Sequence, residues 1–108
     1  MKLVKFDGFP FVEGGITAAK GFSASGVHCG IRANKSKKDL GLLLADHDCA
    51  AAGVYTLNKV KGAPIAVTKD HIADGTCRGI IVNSGIANTC NADGIEKAEA
   101  MCAIARKA

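Results

Sequence analysis

The run Leu40-Gly41-Leu42-Leu43-Leu44-Ala45 constrains the fold of this chain most. It carries no charge and stops at Asp46. It is too short for a typical helix, so a buried β-strand is the expected element. Such a strand hides both faces, and helices or another sheet must cover it. Arg78-Gly79-Ile80-Ile81-Val82 predicts a second clear strand, ending in Asn83-Ser84-Gly85. Shorter strands are expected at Val27–Ile31, at Val54–Leu57 and at Pro64–Thr68. Pro64 would open its strand, where a missing N–H costs least. The N-terminal twelve residues, with Phe6, Phe9 and Phe11 around Gly8 and Pro10, predict an arm or edge strand. Arg32–Asp39 is polar and basic, a hairpin-type connection, and Lys69–Asp74 predicts a short helical turn around Ile72.

The last segment has a different period. Asp93 and Glu96 have the spacing of a capping box. Ile95, Ala98, Met101, Cys102 and Ala105 then share one helical face, opposite Glu96, Lys97, Glu99, Arg106 and Lys107. No C-cap glycine or proline closes this helix before Ala108, a pattern that predicts a longer polypeptide. The 108 residues predict one domain, or a fragment of one, spanning 1–108. A chain this short buries a small fraction of its surface and gains most from a partner or a downstream segment. The strands and the single long helix predict an α/β class with a mostly β sheet covered by helix.

Charge and cysteine use exclude several functions. The net charge of +4 is concentrated at Arg32, Lys35, Lys37 and Lys38, with no interleaved aromatic residue on which a base could stack. That predicts a solvated loop and no nucleic-acid partner. The five cysteines are widely spaced with no Cys-x-x-Cys pair, so neither a redox motif nor a zinc knuckle is expected. No signal peptide or membrane span is expected either. Reduced thiols in a cytoplasmic protein are the simplest account.

Few residues point to chemistry. The Asn83-Ser84-Gly85 loop follows a strand, a common place for ligand contact. Asn88 and Asn91 extend it toward a helix N-terminus, where an anion could sit. The same residues would equally form a turn in which Asn83 or Ser84 bonds back to the main chain. Ser84 lacks the flanking glycines of a nucleophile elbow. His28, His47 and His71 show no metal-ligand spacing, and Asp46-His47-Asp48 is a polar triplet without a further ligand. Lys20 stands between two turns, and no phosphate-binding glycine pattern occurs. Residue pattern alone names no catalytic residue, no metal site and no cofactor site.

Four blocks taken together are more specific. They are Gly14–Phe22 with Ala24–Val27 and Gly30-Ile31, Leu40–Asp46, Ala50–Pro64, and Arg78–Asn91 centred on Ile81–Asn88. In order and spacing the chain resembles the amino-terminal part of the ArgJ family, bifunctional ornithine acetyltransferases and glutamate N-acetyltransferases of arginine biosynthesis. The resemblance implies a layered α/β sandwich of the ArgJ/DmpA type. It implies a precursor that cuts itself before a threonine. That new terminal threonine takes the acetyl group of N-acetylornithine and passes it to glutamate, and in some members acetyl-CoA is a second donor, a substrate and not a bound cofactor. A Thr-Gly pair forms the oxyanion hole.

No threonine of this chain (Thr17, Thr56, Thr68, Thr76 or Thr89) matches either motif, so the catalytic groups are expected elsewhere and the fragment alone is expected to be inactive. Asn83, Ser84, Gly85 and Asn88 match the family's site-supporting loop. Lys20, Thr56, Asn58 and Lys61 match family positions without an assigned role. The family usually carries asparagine where Ile86 stands, threonine where Leu57 stands and often proline where Ala19 stands. Partners implied by the resemblance are the downstream β chain, in a heterotetramer of two α and two β chains, and small-molecule substrates. A related self-processing hydrolase or aminopeptidase, and an isolated binding or structural domain, are the competing expectations.

Overall fold

The computed structural model describes residues 7–108; Phe6 and the start of the expected arm lie outside the described residues. Three strands form one antiparallel sheet in the order β1 (Phe22–Val27), β2 (Leu40–Ala50), β3 (Thr76–Asn83). Two helices complete the fold, α1 (Ala63–His71) and α2 (Gly94–Lys107), with a short 3-10 turn at Gly15–Ala18. This is the α/β class expected from the sequence.

The apolar run does form the central strand, but it is not buried on both faces: Ala45 is buried, Leu40, Leu42 and Leu43 are half-buried, and Leu44 is exposed. Leu40 lies opposite Val27 and Asn83, and Leu43 lies opposite Ala24 and Ile80. The strand runs on to Ala50, past the expected end at Ala45. It does so through an irregularity: from Leu44↔Gly79 to Cys49↔Cys77, β2 advances five residues while β3 advances two. The polar triplet Asp46-His47-Asp48 occupies this bulge, where its side chains reach water. Arg78 Nη2 donates to the Asp46 carbonyl at 3.3 Å and ties the bulge to β3.

Three expected strands are corrected. Val27–Ile31 is not a strand; the first strand starts five residues earlier, at Phe22, and Val27 ends it. Val54–Leu57 has no regular structure, and its Val54 and Leu57 side chains stand fully in solvent. Pro64–Thr68 belongs to a helix. Pro64 sits at the start of α1, where its missing N–H would be unpaired in any case and its fixed φ suits the first turn. Lys69 occupies the last turn, where its positive charge suits the helix C-terminus. The expected turn around Ile72 is the end of this helix. In the N-terminal segment residues 7–12 form no strand, and Phe9 and Phe11 are exposed.

The helix from Asp93 forms as expected, but not through a capping box. Asp93 makes no side-chain cap bond and instead pairs with Lys97 Nζ at 2.8 Å. Ala98 is buried and Met101, Cys102 and Ala105 half-buried, whereas Ile95 points to solvent. The core is correspondingly small: Ala45, Val67 and Ala98 are its buried apolar residues among those described. The helices pack on each other, and His71 Nε2 meets Glu99 Oε2 at 2.8 Å across their exposed rim. Val67→Ala is therefore expected to cost about 2 kcal/mol, because the lost methyl groups leave a void that little else can fill. A lowered urea midpoint with unchanged slope would register it.

Candidate functional site

The loop after β3 is held by the connection between β1 and β2. That connection contains one buried carboxylate, Asp39, only 2 % exposed. Its Oδ1 accepts the main-chain N–H of Cys29 at 2.7 Å, and its Oδ2 accepts that of Arg32 at 2.9 Å. His28 Nδ1 stands 3.1 Å from Asp39 Oδ2 and 3.1 Å from the Lys37 carbonyl. Both neighbours are acceptors, so Nδ1 carries the proton. The main-chain N–H of Arg32, then that of Cys29, holds the Asp39 carboxyl well below the usual carboxylate range, against the opposing effect of desolvation. Desolvation first, and then the Asp39 carboxylate, pushes the Cys29 thiol above its ordinary value. Cys29 is thus poorly suited to act as a nucleophile.

The rest of the connection follows the solvated-loop expectation. Asn34 Oδ1 accepts from Ser36 N at 3.0 Å and from Ser36 Oγ at 2.7 Å, a local turn in which the side chain substitutes for backbone.

From this anchored connection Arg32 reaches the loop. Its Nε donates to Ser84 Oγ at 3.0 Å, while Ser84 N donates to the Asp39 carbonyl at 2.9 Å. Gly85 follows with φ 109°, a conformation that side chains resist, and an added Cβ would come 2.8 Å from Arg32 Cγ. Asn83 Nδ2 donates to the Ile86 carbonyl at 3.2 Å, so this amide closes its own turn. Ser84, Gly85 and Ile86 are exposed. A shallow depression of about 230 Å³, lined by Asp39, Asn83, Ser84 and Lys38 among others, lies beside them.

Asn88 sits apart from that hydroxyl, at the helix ends. Its Nδ2 donates to the Gly94 carbonyl at 2.7 Å, its Oδ1 accepts from Asn91 Nδ2 at 3.1 Å, and its carbonyl accepts Ala63 N at 2.9 Å. One residue thus braces the starts of both α1 and α2. The amides of Asn88 and Asn91 are directed at each other and at main chain rather than outward to an anion. Asn83, Ser84 and Gly85 form one structural unit with Arg32 and Asp39, and Asn88 forms a second. Sequence reasoning did not single out Asp39. Its one signal was position: a carboxylate directly before an apolar strand and after a glycine-containing connection.

Among the described residues no group of three or more His, Cys, Asp or Glu side chains gathers to hold a metal ion. None of their helices is long and apolar enough to cross a membrane.

The model of the ArgJ family matches residues 23–108, which include every residue of this network. The chain belongs to the ArgJ family. It is 46% identical over 93 residues to the arginine biosynthesis bifunctional protein ArgJ of Halalkalibacterium halodurans, an alignment covering 84% of this chain and 22% of that protein. The ArgJ of Bacillus subtilis is 46% identical over 83 residues, covering 76% of this chain and 20% of that protein. The chain therefore spans about a fifth of the length of these ArgJ relatives.

Solved ArgJ structures share the fold. The crystal structure of ArgJ from Bacillus halodurans superposes with a TM-score of 0.78 at 46% identity, over 84% of this chain and 48% of that one. Ornithine acetyltransferase from Mycobacterium tuberculosis, crystallised with ornithine, gives 0.73 at 42% identity, over 79% of this chain and 45% of that one. The layered α/β fold expected from the resemblance is thus the fold of the ArgJ neighbours. The matched crystallised chains are roughly half as long as the curated ArgJ proteins, since a similar stretch of this chain fills about twice the share of them.

Proposed function

We propose that this chain is the amino-terminal scaffold of a self-processing acetyltransferase of arginine biosynthesis. The complete protein would move an acetyl group from N-acetylornithine to glutamate, acting as ornithine acetyltransferase and glutamate N-acetyltransferase in the cytoplasm. Family membership over residues 23–108 is the observation that carries the reading. The nucleophile would be a threonine freed by cleavage, outside this chain. Its hydroxyl oxygen attacks the acetyl carbonyl, ornithine leaves, and the acyl-enzyme is then attacked by the amine of glutamate. No bound cofactor is required by that sequence of steps, and acetyl-CoA would enter only as an alternative donor.

Two further observations support a role as one piece of a larger body. Val54 and Leu57 are 100% and 99% exposed, and Ile80, Val82 and Ile86 are more than half exposed. Apolar surface of this extent suits a face made to be covered. The shorter length of the crystallised ArgJ chains is the relation that cleavage of a precursor would leave. A downstream β chain, assembled as two α and two β chains, would supply the cover and the catalytic groups. In that body Asn83, Ser84 and Gly85 would shape the edge of the site through the Arg32–Ser84 bond, and Asn88 would hold the helices behind it.

The test is the intact mass of the natural gene product together with an acetyl-transfer assay. The expected result is a second polypeptide beginning with threonine, and formation of N-acetylglutamate and ornithine in equal amounts. An uncleaved, inactive protein would overturn the reading. Ornithine released without acetylation of glutamate would replace it with the hydrolase reading.

A further inference from the structure

We propose that Cys49 and Cys77 form a reversible cross-strand disulfide under oxidation by a peroxide. The two residues are direct partners across β2 and β3, just beyond the bulge. The bond from Ala51 N to the Gly75 carbonyl at 2.8 Å makes Ala50 and Thr76 a non-hydrogen-bonded pair. By the alternation of antiparallel sheets, Cys49 and Cys77 are then a hydrogen-bonded pair, with Cα atoms about 5.5 Å apart. That separation is inside the disulfide range of roughly 4.4–6.8 Å and near its most frequent value.

Opposed residues of an antiparallel pair also point to the same face. Both thiols line one open apolar cleft of about 480 Å³, shared with Phe22, Leu43, Tyr55 and Ile72. Each is free and half-buried, so a small oxidant can reach it. Neither sulfur is held by a strong partner. Cys49 Sγ contacts the His47 carbonyl at 3.6 Å, and Cys77 Sγ contacts the Gly79 carbonyl at 3.3 Å. A change of rotamer turns the sulfurs toward each other, and the strands must close by about 1 Å to bring the Cβ atoms within bonding range, a strain that makes the bond readily reducible.

The chemistry balances with the peroxide alone. One thiolate attacks a peroxide oxygen; the S–O bond forms, the O–O bond breaks, and hydroxide leaves to become water. The second thiolate attacks the resulting sulfenic sulfur and expels another hydroxide, which also becomes water. Two thiols and one hydrogen peroxide give one disulfide and two waters, the sulfurs losing the two electrons that the peroxide gains. An external dithiol reverses the bond by exchange. The closed loop encloses the exposed Val54–Leu57 segment and all of α1. Oxidation would therefore restrain the least covered part of the chain.

The five cysteines fall in five different tryptic peptides, so pairing is read without ambiguity. The natural gene product is treated with hydrogen peroxide, its free thiols are blocked, and it is digested without reductant. The expected product is the peptide Asp39–Lys59 joined to Asp70–Arg78, lighter than the two by two hydrogens, and cleaved by dithiothreitol. It should come from protein that stays monomeric on a non-reducing gel, and the oxidised form should melt higher. Cys49→Ser and Cys77→Ser should each abolish it while leaving the far-ultraviolet spectrum unchanged. Joining of either peptide to a different cysteine peptide, or oxidation of either thiol with no cross-link, would overturn the proposal.

Discussion

Asp39→Asn is expected to lower the thermal midpoint by about 10 °C at neutral pH. The carboxylate side chain has no exposed surface and receives the N–H groups of Cys29 and Arg32 on its two oxygens, with His28 Nδ1 beside one of them. An amide of the same shape has a single acceptor oxygen. Its NH2 must face one of those main-chain donors, which leaves a buried donor unpaired. The connection then loosens, and with it the placement of Arg32 against Ser84.

The pH dependence gives a second readout. The folded protein holds the Asp39 carboxyl well below its ordinary value, so the unfolded chain binds its proton first as the solution is acidified. The stabilisation is complete above the unfolded value, about pH 4, and is lost as pH falls from there toward the depressed folded value. Melting curves taken from neutral pH downward should show the parent protein and Asp39→Asn converging below about pH 4. Asp48→Asn, a change at an exposed carboxylate in the bulge, is the control and should melt with the parent. A melting point for Asp39→Asn within a degree or two of the parent at neutral pH would remove Asp39 from its anchoring role.

Asp39 also shows where the sequence was legible and where it was not. The apolar run at Leu40 and the run at Ile80 are neighbouring strands, as their uncharged, β-branched and leucine-rich composition indicates, and the helical period of α2 was equally plain. Pro64–Thr68 departs from the strand expectation because a short run containing Ile65, Val67 and Thr68 suits either element; only Pro64 at the first turn, after Gly62, distinguishes them. Val54–Leu57 has the composition of a strand but no strand beside it among the described residues, so composition alone misled. In the loop, Asn83-Ser84-Gly85 was recognisable as a unit, but its bond to Arg32 spans 52 residues of sequence, and no local pattern encodes such a meeting. Asp93 and Glu96 had the right spacing for a capping box, yet Lys97 lies one turn along and drew the carboxylate to itself.

Gly94→Ala should destabilise the fold by about 2 kcal/mol, although alanine is the better helix former. Gly94 is buried at the start of α2, where the helix meets the start of α1. A Cβ there would lie 2.6 Å from Asn88 Oδ1 and 2.9 Å from Ala63 Cβ. The Asn88 side chain could turn away, but it would then give up its 2.7 Å bond to the Gly94 carbonyl. Ala63 cannot turn at all, since its Cβ is fixed by the backbone that hydrogen-bonds to Asn88. Both responses cost more than the helical preference of alanine returns. The two sources separate in a double-mutant cycle measured by urea unfolding. Asn88→Ala removes the first clash and leaves the second, so its own cost should shrink in the Gly94→Ala background, with a coupling of about 1 kcal/mol. Additive effects would mean that Gly94 and Asn88 act on separate parts of the structure. A Gly94→Ala protein as stable as its parent would mean that α1 and α2 approach each other less closely than their first residues indicate.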